Sequence, residues 1–306
     1  MFDTSKRYAV VTGCNRGLGF GIARRLTQEG FHVAALCRQL KDAQRTVRAL
    51  GSGCCVAIQL DIAEGDVAVR KSVAQVVDWL GSSKLALLIN NAGNSYDAWN
   101  DESWVASRAV NYQGGCRLTE ALLPSFSDGA SVTMVGSGLG DLKLLSPKFQ
   151  RLLTRARTIS ALDEIADLPI DRLSVKCSWV GPYGMSKALL HRATEIFAAD
   201  PRFTTRGIQL SAVCPGWVCT DMGGEQAPIS IEEGAGHILE KPLHSAAAGT
   251  LRCFCFKNYD EEHNRAWEEK HGKWTDNDDY TTHGHNTKQL TKAASRPSSK
   301  RLRTCQ

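Results

Sequence analysis

Apolar residues follow two alternating patterns along most of the chain. Short, continuous apolar runs begin at residues 8, 31, 54, 85, 130 and 208. Such runs are typical of strands that are buried on both faces of a parallel sheet. Between them, apolar residues recur every three or four positions, which is typical of helices with one buried face. This alternation predicts an α/β fold, with a doubly wound parallel sheet and helices on both faces.

The runs give six predicted strands, at residues 8–11, 31–37, 54–60, 85–89, 130–135 and 208–213. Predicted helices lie at residues 20–29, 40–50, 69–80, 103–123, 183–199 and 231–238. Residues 141–180 interrupt the alternation, because their apolar residues repeat with a helical period and show no strand pattern. They are predicted to form a helical insertion. A last strand is expected either at residues 251–256 or near Trp274.

The first strand and helix are joined by a glycine-rich segment. Gly13, Gly17 and Gly19 stand in the spacing Gly-x-x-x-Gly-x-Gly. Glycines at such a turn let backbone N–H groups approach a pyrophosphate at the positive end of a helix. The segment therefore predicts a dinucleotide-binding unit, and the alternative is an ordinary tight turn.

Composition narrows the class of protein. The chain has 306 residues, of which 42% are hydrophobic and 23% charged, as in globular proteins. No apolar run reaches the roughly 20 residues that span a bilayer, and no signal region precedes the first strand. Eleven scattered cysteines favour a reducing compartment. We expect a cytoplasmic protein that does not bind membranes.

The net charge does not indicate a nucleic-acid-binding protein, and the spacing of histidines and cysteines does not indicate a metalloprotein. The net charge of +5 is modest and does not call for nucleic acid, although it would suit a phosphorylated cofactor. His271, His283 and His285 lack zinc spacing, and Cys253 and Cys255 lack a partner pair, so no metal site is predicted. One domain is expected over residues 1–285, followed by a disordered basic tail over residues 286–306.

A tyrosine and a lysine form the main candidate for catalysis. Tyr183 and Lys187 are four residues apart, so they share one face of the predicted helix. A phenol can protonate a developing alkoxide, but the pKa of free tyrosine is about 10. A nearby ammonium favours the phenolate and lowers that pKa toward the operating pH. The alternative is an exposed Tyr–Lys pair without a chemical role.

With this pair in place, the sequence from about Tyr8 to Leu239 resembles the short-chain dehydrogenase/reductase family, and within it the NADPH-dependent carbonyl reductases. The resemblance implies a Rossmann-type fold. The motifs stand in the order of the family: the glycine turn, Asp61, residues 90–93, Asn111, Ser137, Tyr183 with Lys187, and Pro215-Gly216.

The resemblance also assigns catalytic roles. It implies that Tyr183 is the general acid, and that Lys187 lowers the pKa of this phenol and binds the nicotinamide ribose. Ser137 would donate a hydrogen bond to the substrate carbonyl oxygen. Asn111 would hold a water molecule that relays protons to Lys187. The family commonly has Ser-Ser where this chain has Gly136 and Ser137, so one hydroxyl of the pair is missing.

Charge at the end of the second strand predicts the cofactor. NAD-specific proteins place an acidic residue there, whereas this chain has Arg38. Together with Arg16 it would suit the 2′-phosphate of NADP(H). By the resemblance, Asp61 would contact the adenine and Asn90 would brace the sheet. The expected cofactor-binding residues are Gly13, Asn15, Arg16, Gly17, Leu18, Gly19, Arg38, Asp61, Ile62, Asn90, Ala92, Tyr183, Lys187, Pro215, Gly216, Val218 and Thr220.

The sequence thus predicts an NADPH-dependent reductase of an aldehyde, ketone or quinone carbonyl. Two alternatives stay open: an alcohol dehydrogenase acting mainly in the oxidative direction, and a catalytically idle NADP-binding regulator. Short-chain reductases often assemble through the helices that carry the Asn111 and Tyr183 positions. The insertion at residues 141–180 resembles that of monomeric carbonyl reductases, so we expect a monomer in which it also forms one wall of the substrate cleft.

Overall fold

The computed structural model describes residues 7–51, 53–96, 98–173, 181–244 and 252–253. Within them, seven parallel strands form one sheet in the order β3-β2-β1-β4-β5-β6-β7. The strands are β1 (Arg7–Thr12), β2 (Phe31–Cys37), β3 (Cys55–Gln59), β4 (Leu85–Asn90), β5 (Phe126–Val135), β6 (Gln209–Cys214) and β7 (Arg252–Cys253). This confirms the predicted doubly wound parallel sheet.

Helices connect the strands and lie on both faces of the sheet. They are α1 (Gly17–Gln28), α2 (Leu40–Leu50), α3 (Asp66–Leu80), α4 (Asp101–Arg108), α5 (Gly115–Leu122), α6 (Pro147–Arg155), α7 (Ile159–Ala166), α8 (Gly181–Ala199), α9 (Pro201–Thr204) and α10 (Ile231–His244). A π-helical turn, Ala109–Gly114, joins α4 to α5, so the long helix predicted at residues 103–123 is one helix with a π turn in its middle.

The remaining differences from prediction concern ends of elements. β5 begins at Phe126 rather than at residue 130. The prediction missed its first four residues because they do not form an apolar run. α10 continues to His244, past the predicted end at residue 238. β7 lies inside the predicted range 251–256. The alternative near Trp274 and the predicted tail at residues 286–306 lie outside the described residues.

Two apolar cores stabilise the sheet, one on each face. On one face, Val11 of β1 packs in a cluster with Ile22 of α1 and Ile238 of α10. On the other, Val10 belongs to a larger cluster that includes Trp104 of α4 and Phe197 of α8. Full burial of such side chains contributes about 1.5–3 kcal/mol each. Successive side chains of β1 point to opposite faces of the sheet, so α1 and α10 pack on one face and α4 and α8 pack on the other.

The order of the strands reverses between β1 and β4. In a parallel sheet the loops on either side of such a point leave a crevice at the carboxyl edge. The glycine turn follows β1 and residues 91–94 follow β4, so the fold brings these two motifs to that crevice. Within the described residues, every helix is too short or too polar to cross a lipid bilayer.

Candidate active site

The glycine turn packs backbone against backbone with the loop after β4. A Cβ added at Gly13, where φ is +66°, would lie 2.9 Å from Cα of Ala92. A Cβ at Gly19 would lie 2.3 Å from the Gly13 carbonyl oxygen and 2.4 Å from Nδ2 of Asn91. Any side chain at Gly19 would force the turn apart, which explains why glycine is needed there.

Thr12 and Asn91 hold this packing in place. Oγ1 of Thr12 accepts hydrogen bonds from the backbone N–H groups of Asn91 (3.0 Å) and Ala92 (2.9 Å). In return, Nδ2 of Asn91 donates to the carbonyl oxygens of Thr12 (2.9 Å) and Gly13 (3.2 Å). Sequence reasoning missed this role of both side chains. The sequence does place a hydroxyl at the end of β1 and an amide just after β4, and these could have indicated a contact between the two loops.

The segment after β6 packs on the first turn of α1. A Cβ at Gly17 would lie 3.3 Å from Cγ2 of Thr220. A Cβ at Gly234 would lie 2.7 Å from Cγ2 of Val218 and 3.3 Å from Cδ1 of Leu18. The side chain of the N-cap residue makes no capping hydrogen bond to α1. The structure therefore brings four of the predicted cofactor-binding residues, Gly17, Leu18, Val218 and Thr220, around the N-terminus of this helix.

The two predicted phosphate-binding arginines have different surroundings. Arg16 forms an exposed ion pair of 3.0 Å with Asp221, an acidic residue that sequence reasoning did not single out. Arg38 is exposed at the end of β2, and no carboxylate among the described residues pairs with it. An acid at the end of β2 is absent, as the sequence indicated.

Two predicted positions after β3 and β4 form hydrogen bonds with neighbouring protein groups. Oδ1 of Asp61 accepts from the backbone N–H of Ala63 at 3.1 Å. Asn90 is buried, and its Nδ2 donates to Oγ1 of Thr119 (2.9 Å) and approaches Sδ of Met134 (3.2 Å). Asn90 thus links β4 to α5 and β5, in the manner expected of a residue that braces the sheet.

The other predicted positions fall at the same edge. Ile62 is buried against the π turn, where a Cβ at Gly114 would lie 2.5 Å from Cγ1 of Ile62. Asn15 is half-buried inside the glycine turn. Pro215 and Gly216 open the loop after β6, and the Pro215 carbonyl oxygen lies 2.7 Å from a ring nitrogen of His237.

Lys187 is a buried residue of α8, and its side chain reaches the end of β5. It is 3% exposed, and its Nζ donates to the carbonyl oxygen of Val135, the last residue of β5, at 2.7 Å. Nζ also lies 5.7 Å from the centre of the half-buried Tyr183 ring. Burial disfavours the ammonium and lowers the pKa of Lys187 to about 8. The predicted pair therefore faces inward, toward the carboxyl edge of the sheet.

Asn111 lies in the π turn, and its side chain connects three segments. Oδ1 accepts from the backbone N–H of Asn94, and Nδ2 donates to the Asn94 carbonyl oxygen, both at 2.9 Å. Nδ2 also lies 3.0 Å from Oγ of Ser186, whose hydroxyl donates to the Tyr183 carbonyl oxygen at 2.6 Å. Single π turns inside α-helices are frequent at functional sites. Here the turn ties α8 to the loop after β4.

Ser137 begins the turn that follows β5. It is 9% exposed, and its Oγ accepts from the backbone N–H of Leu139 at 3.2 Å, which leaves its O–H able to donate. Its backbone N–H donates to Nε2 of His191 at 3.3 Å, and Nδ1 of the same ring lies 3.2 Å from the carbonyl oxygen of Gly140. Sequence reasoning missed His191, although it follows Lys187 by four residues on one helical face.

Exposed apolar side chains occur on three loops at this edge. They are Tyr96 after β4, Leu142 after β5, and Trp217 and Met222 after β6, each between 39% and 54% exposed. Nε1 of Trp217 donates to the carbonyl oxygen of Gly223 at 2.7 Å, which fixes the indole on its loop.

Comparisons with known proteins agree with this arrangement. Residues 7–146 match the family model described as short chain dehydrogenase. The chain is 31% identical over 275 residues to a (+)-neomenthol dehydrogenase of Arabidopsis thaliana, covering 77% of this chain and 90% of that protein. It is 30% identical over 269 residues to carbonyl reductase [NADPH] 1 of Sus scrofa, covering 80% and 88%.

Two solved structures are similar at 25% identity. Salutaridine reductase from Papaver somniferum superposes with a TM-score of 0.72, covering 80% of this chain and 99% of that one. An NADPH-bound carbonyl reductase from chicken fatty liver gives a TM-score of 0.63, with coverages of 81% and 96%.

Proposed function

Because the chain belongs to the short-chain dehydrogenase/reductase family of oxidoreductases, we propose that it reduces the carbonyl group of an aldehyde, ketone or quinone with NADPH. Tyr183 is the proton donor in this proposal. Lys187, Ser137 and Asn111 complete the catalytic group.

The main support for the proposal is the burial of Lys187 beside Tyr183. A lysine that is 3% exposed is costly to keep charged, so its burial calls for a compensating role. Its ammonium is held by the Val135 carbonyl oxygen, 5.7 Å from the centre of the Tyr183 ring, and it has two further N–H groups. An exposed Tyr–Lys pair without a chemical role would not be buried in this way.

The residues at the crevice fit a phosphorylated dinucleotide. The turn at Gly13 and Gly19 has no room for side chains, and the N-terminus of α1 suits a pyrophosphate. Arg38 is unpaired among the described residues and Arg16 is held only by an exposed ion pair, so both can turn to a 2′-phosphate. The NADPH-bound carbonyl reductase from chicken and the pig enzyme named for NADPH support NADP(H) over NAD(H).

The chain's own residues then act on the substrate carbonyl. When bound, NADPH supplies the hydride that the carbonyl carbon accepts. The Ser137 hydroxyl donates a hydrogen bond to the carbonyl oxygen and stabilises the negative charge that develops there. The Tyr183 hydroxyl gives its proton to that oxygen, and the product is an alcohol. Lys187 favours the resulting phenolate and binds the nicotinamide ribose, while Asn111 holds the water that returns a proton.

The substrate is proposed to be an apolar carbonyl compound. Tyr96, Leu142, Trp217 and Met222 present apolar surface on the loops around the crevice, and such surface is typical of small-molecule sites. Two of the relatives are named for small molecules, neomenthol and salutaridine. Apolar ketones are therefore the first substrates to test.

The oligomeric state is proposed to be a monomer. Described residues of the insertion contact the helices through which short-chain reductases often assemble. Nε1 of Trp104 on α4 donates to the Leu168 carbonyl oxygen at 3.0 Å, and the Arg192 guanidinium on α8 donates to the Ala156 carbonyl oxygen at 2.8 Å. Light scattering at micromolar concentration should give a mass near 33.4 kDa, and twice that value would refute the proposal.

A cytoplasmic location is also proposed. Cys14, Cys37, Cys54, Cys55 and Cys116 are free thiols, as expected for a reducing compartment. Fractionation of cells that express the tagged protein would test it, and recovery of the protein in an oxidising compartment would contradict it.

A turnover assay tests the function. The purified protein is supplied with NADPH or NADH and a panel of apolar ketones, aldehydes and quinones, and the alcohol product is quantified. We expect NADPH oxidation with an equal amount of alcohol, and much weaker turnover with NADH. Faster oxidation of alcohols with NADP⁺ would favour the dehydrogenase alternative, and NADPH binding without turnover in either direction would favour the idle regulator.

A further inference from the structure

One imidazole closes both ends of the turn that carries Ser137. The Ser137 N–H donates to Nε2 of His191 at 3.3 Å, and Nδ1 of that ring faces the Gly140 carbonyl oxygen at 3.2 Å. The carbonyl requires Nδ1 to carry the ring hydrogen, which leaves Nε2 as the acceptor. Both contacts are thus satisfied by a single tautomer of the neutral ring.

The turn also packs tightly on α8 at this place. A Cβ at Gly140 would lie 2.7 Å from Cε1 of His191 and 2.8 Å from the carbonyl carbon of Lys187. Tyr183, Lys187 and His191 follow one another at intervals of four residues on one face of α8. Lys187 holds the end of β5 through Val135, and His191 holds the residue two positions further on.

The surroundings keep this imidazole neutral. His191 is buried, and burial together with the nearby Lys187 ammonium lowers its pKa to about 4. Cys214 on β6 and Asp141 beyond the turn act in the opposite direction, and so does the Gly140 carbonyl. A protonated ring would place a second donor against the Ser137 N–H, so the turn would lose its anchor.

We propose that His191 is a positioning residue for the reduction: it fixes the backbone of Ser137 so that the Ser137 hydroxyl meets the substrate carbonyl oxygen. This inference rests on the proposed function of Ser137. In this role His191 acts through the turn of residues 137–140, whose two ends its ring contacts. Its effect should therefore appear in kcat and be absent from NADPH affinity.

A double-mutant cycle between His191 and Ser137 is the test. The variants are Ser137→Ala, His191→Leu and the combination, and kcat, KM and the NADPH dissociation constant are measured for each. His191→Leu should lower kcat about ten- to a hundred-fold and leave NADPH affinity within two-fold. The combined variant should be no more than about three-fold slower than Ser137→Ala alone, because residues that act through one group are not additive.

Two further variants separate positioning from a merely structural role. His191→Gln keeps an acceptor and a donor, and it should recover kcat to within about five-fold of the unmutated protein. Thr194→Val removes a buried hydroxyl on the same helix, whose only described partner is the Leu190 carbonyl oxygen at 2.7 Å. It should lower thermal stability and leave kcat unchanged.

The outcomes are distinguishable. If Ser137→Ala keeps full turnover, the proposed role of Ser137 fails and this inference fails with it. If Ser137→Ala loses turnover but His191→Leu keeps it, only the inference is overturned. Full additivity of the two substitutions, or an equal loss of kcat in Thr194→Val, would also overturn the inference alone.

Discussion

The two regions that meet at the crevice are held by different kinds of contact. Around the glycine turn, backbone lies against backbone, as between Gly13 and Ala92, and the short polar side chains of Thr12 and Asn91 bind backbone groups. Around Tyr183, long side chains reach across elements, as in the contacts of Lys187 and His191 with the end of β5. The first region depends on glycines and short polar side chains that let backbones approach closely, and the second depends on long side chains that cross between elements.

Because the contacts differ, cofactor binding and turnover should be separable by mutation. Substitutions near the glycine turn should act on NADPH affinity, whereas substitutions on α8 should act on the chemical step. Lys187 is the exception, because its ammonium would serve both regions.

Lys187→Met should lower kcat by about a hundred-fold or more, since general acid–base catalysis contributes about 10²–10⁴. NADPH affinity should fall several-fold as well. Thermal stability should be unchanged or higher, because a buried cation is replaced by an apolar side chain of similar length. Lys84→Met is the matched control, since exposed Lys84 also donates to a backbone carbonyl oxygen, that of Pro124, at 3.1 Å. Retained turnover in Lys187→Met would place the chemistry elsewhere.

Arg38→Asp should weaken NADPH binding about ten- to a hundred-fold, the loss expected for one charge-assisted contact. NADH binding should change far less, because it lacks the 2′-phosphate. Fluorescence titration of both cofactors measures the two dissociation constants. Arg48→Asp, at an exposed position on α2, controls for the change in net charge. Equal effects on the two cofactors, or equal affinities in the unmutated protein, would contradict NADPH preference.

His191 should make the folded state sensitive to mild acid. The pKa of His191 is lowered to about 4 in the folded protein, against about 6.5 when unfolded. The unfolded chain therefore takes up the proton first, and this stability is complete above pH 6.5 and is lost as the pH falls toward 4. Relative to His191→Gln, the unmutated protein should lose about 2 kcal/mol of unfolding free energy between pH 7 and pH 5.

Urea denaturation at the two pH values measures this loss. Thr194→Val, which removes a buried hydroxyl of the same helix and no titratable group, serves as the control and should keep the pH dependence of the unmutated protein. Identical pH dependence in His191→Gln would show that His191 is not a buried neutral ring.

Asp221→Asn should have the smallest effect. It releases Arg16 from an exposed ion pair, and such pairs contribute about 0.2–1 kcal/mol. NADPH affinity should therefore rise about two- to five-fold while kcat stays unchanged. Glu232→Gln, which breaks the exposed Arg24–Glu232 pair, should leave affinity unaltered. A weaker affinity in Asp221→Asn would show that Asp221 supports the cofactor site.

The sequence predicted local features better than long-range ones. The bounds of β2 and α2 were predicted to the residue. Gly30 separates α1 from β2, and Gly51 ends α2, so both boundaries are marked by a local residue type. The glycine turn was recognisable because its spacing is local. The bonds of Asn111 and His191 were not predictable, since they join residues 17 and 54 positions apart and depend on the π turn and the packing of α8.

Asp221 illustrates the same limit. Its pair with Arg16 joins two loops that only the sheet brings together, and no pattern around residue 221 indicates it. Periodicity reports which face of an element is buried, but not which partner that face meets.

The variant Tyr183→Phe shows whether Tyr183 donates the proton in an NADPH-dependent carbonyl reduction. The change removes one hydroxyl and keeps the ring near Lys187. Turnover of the best ketone of the panel and the NADPH dissociation constant are measured for this variant and for the matched control Tyr8→Phe on β1. Tyr183→Phe should lower kcat about 10²–10⁴-fold and leave NADPH affinity within two-fold, while Tyr8→Phe should change neither. Near-normal turnover in Tyr183→Phe would contradict the role of Tyr183 as the proton donor.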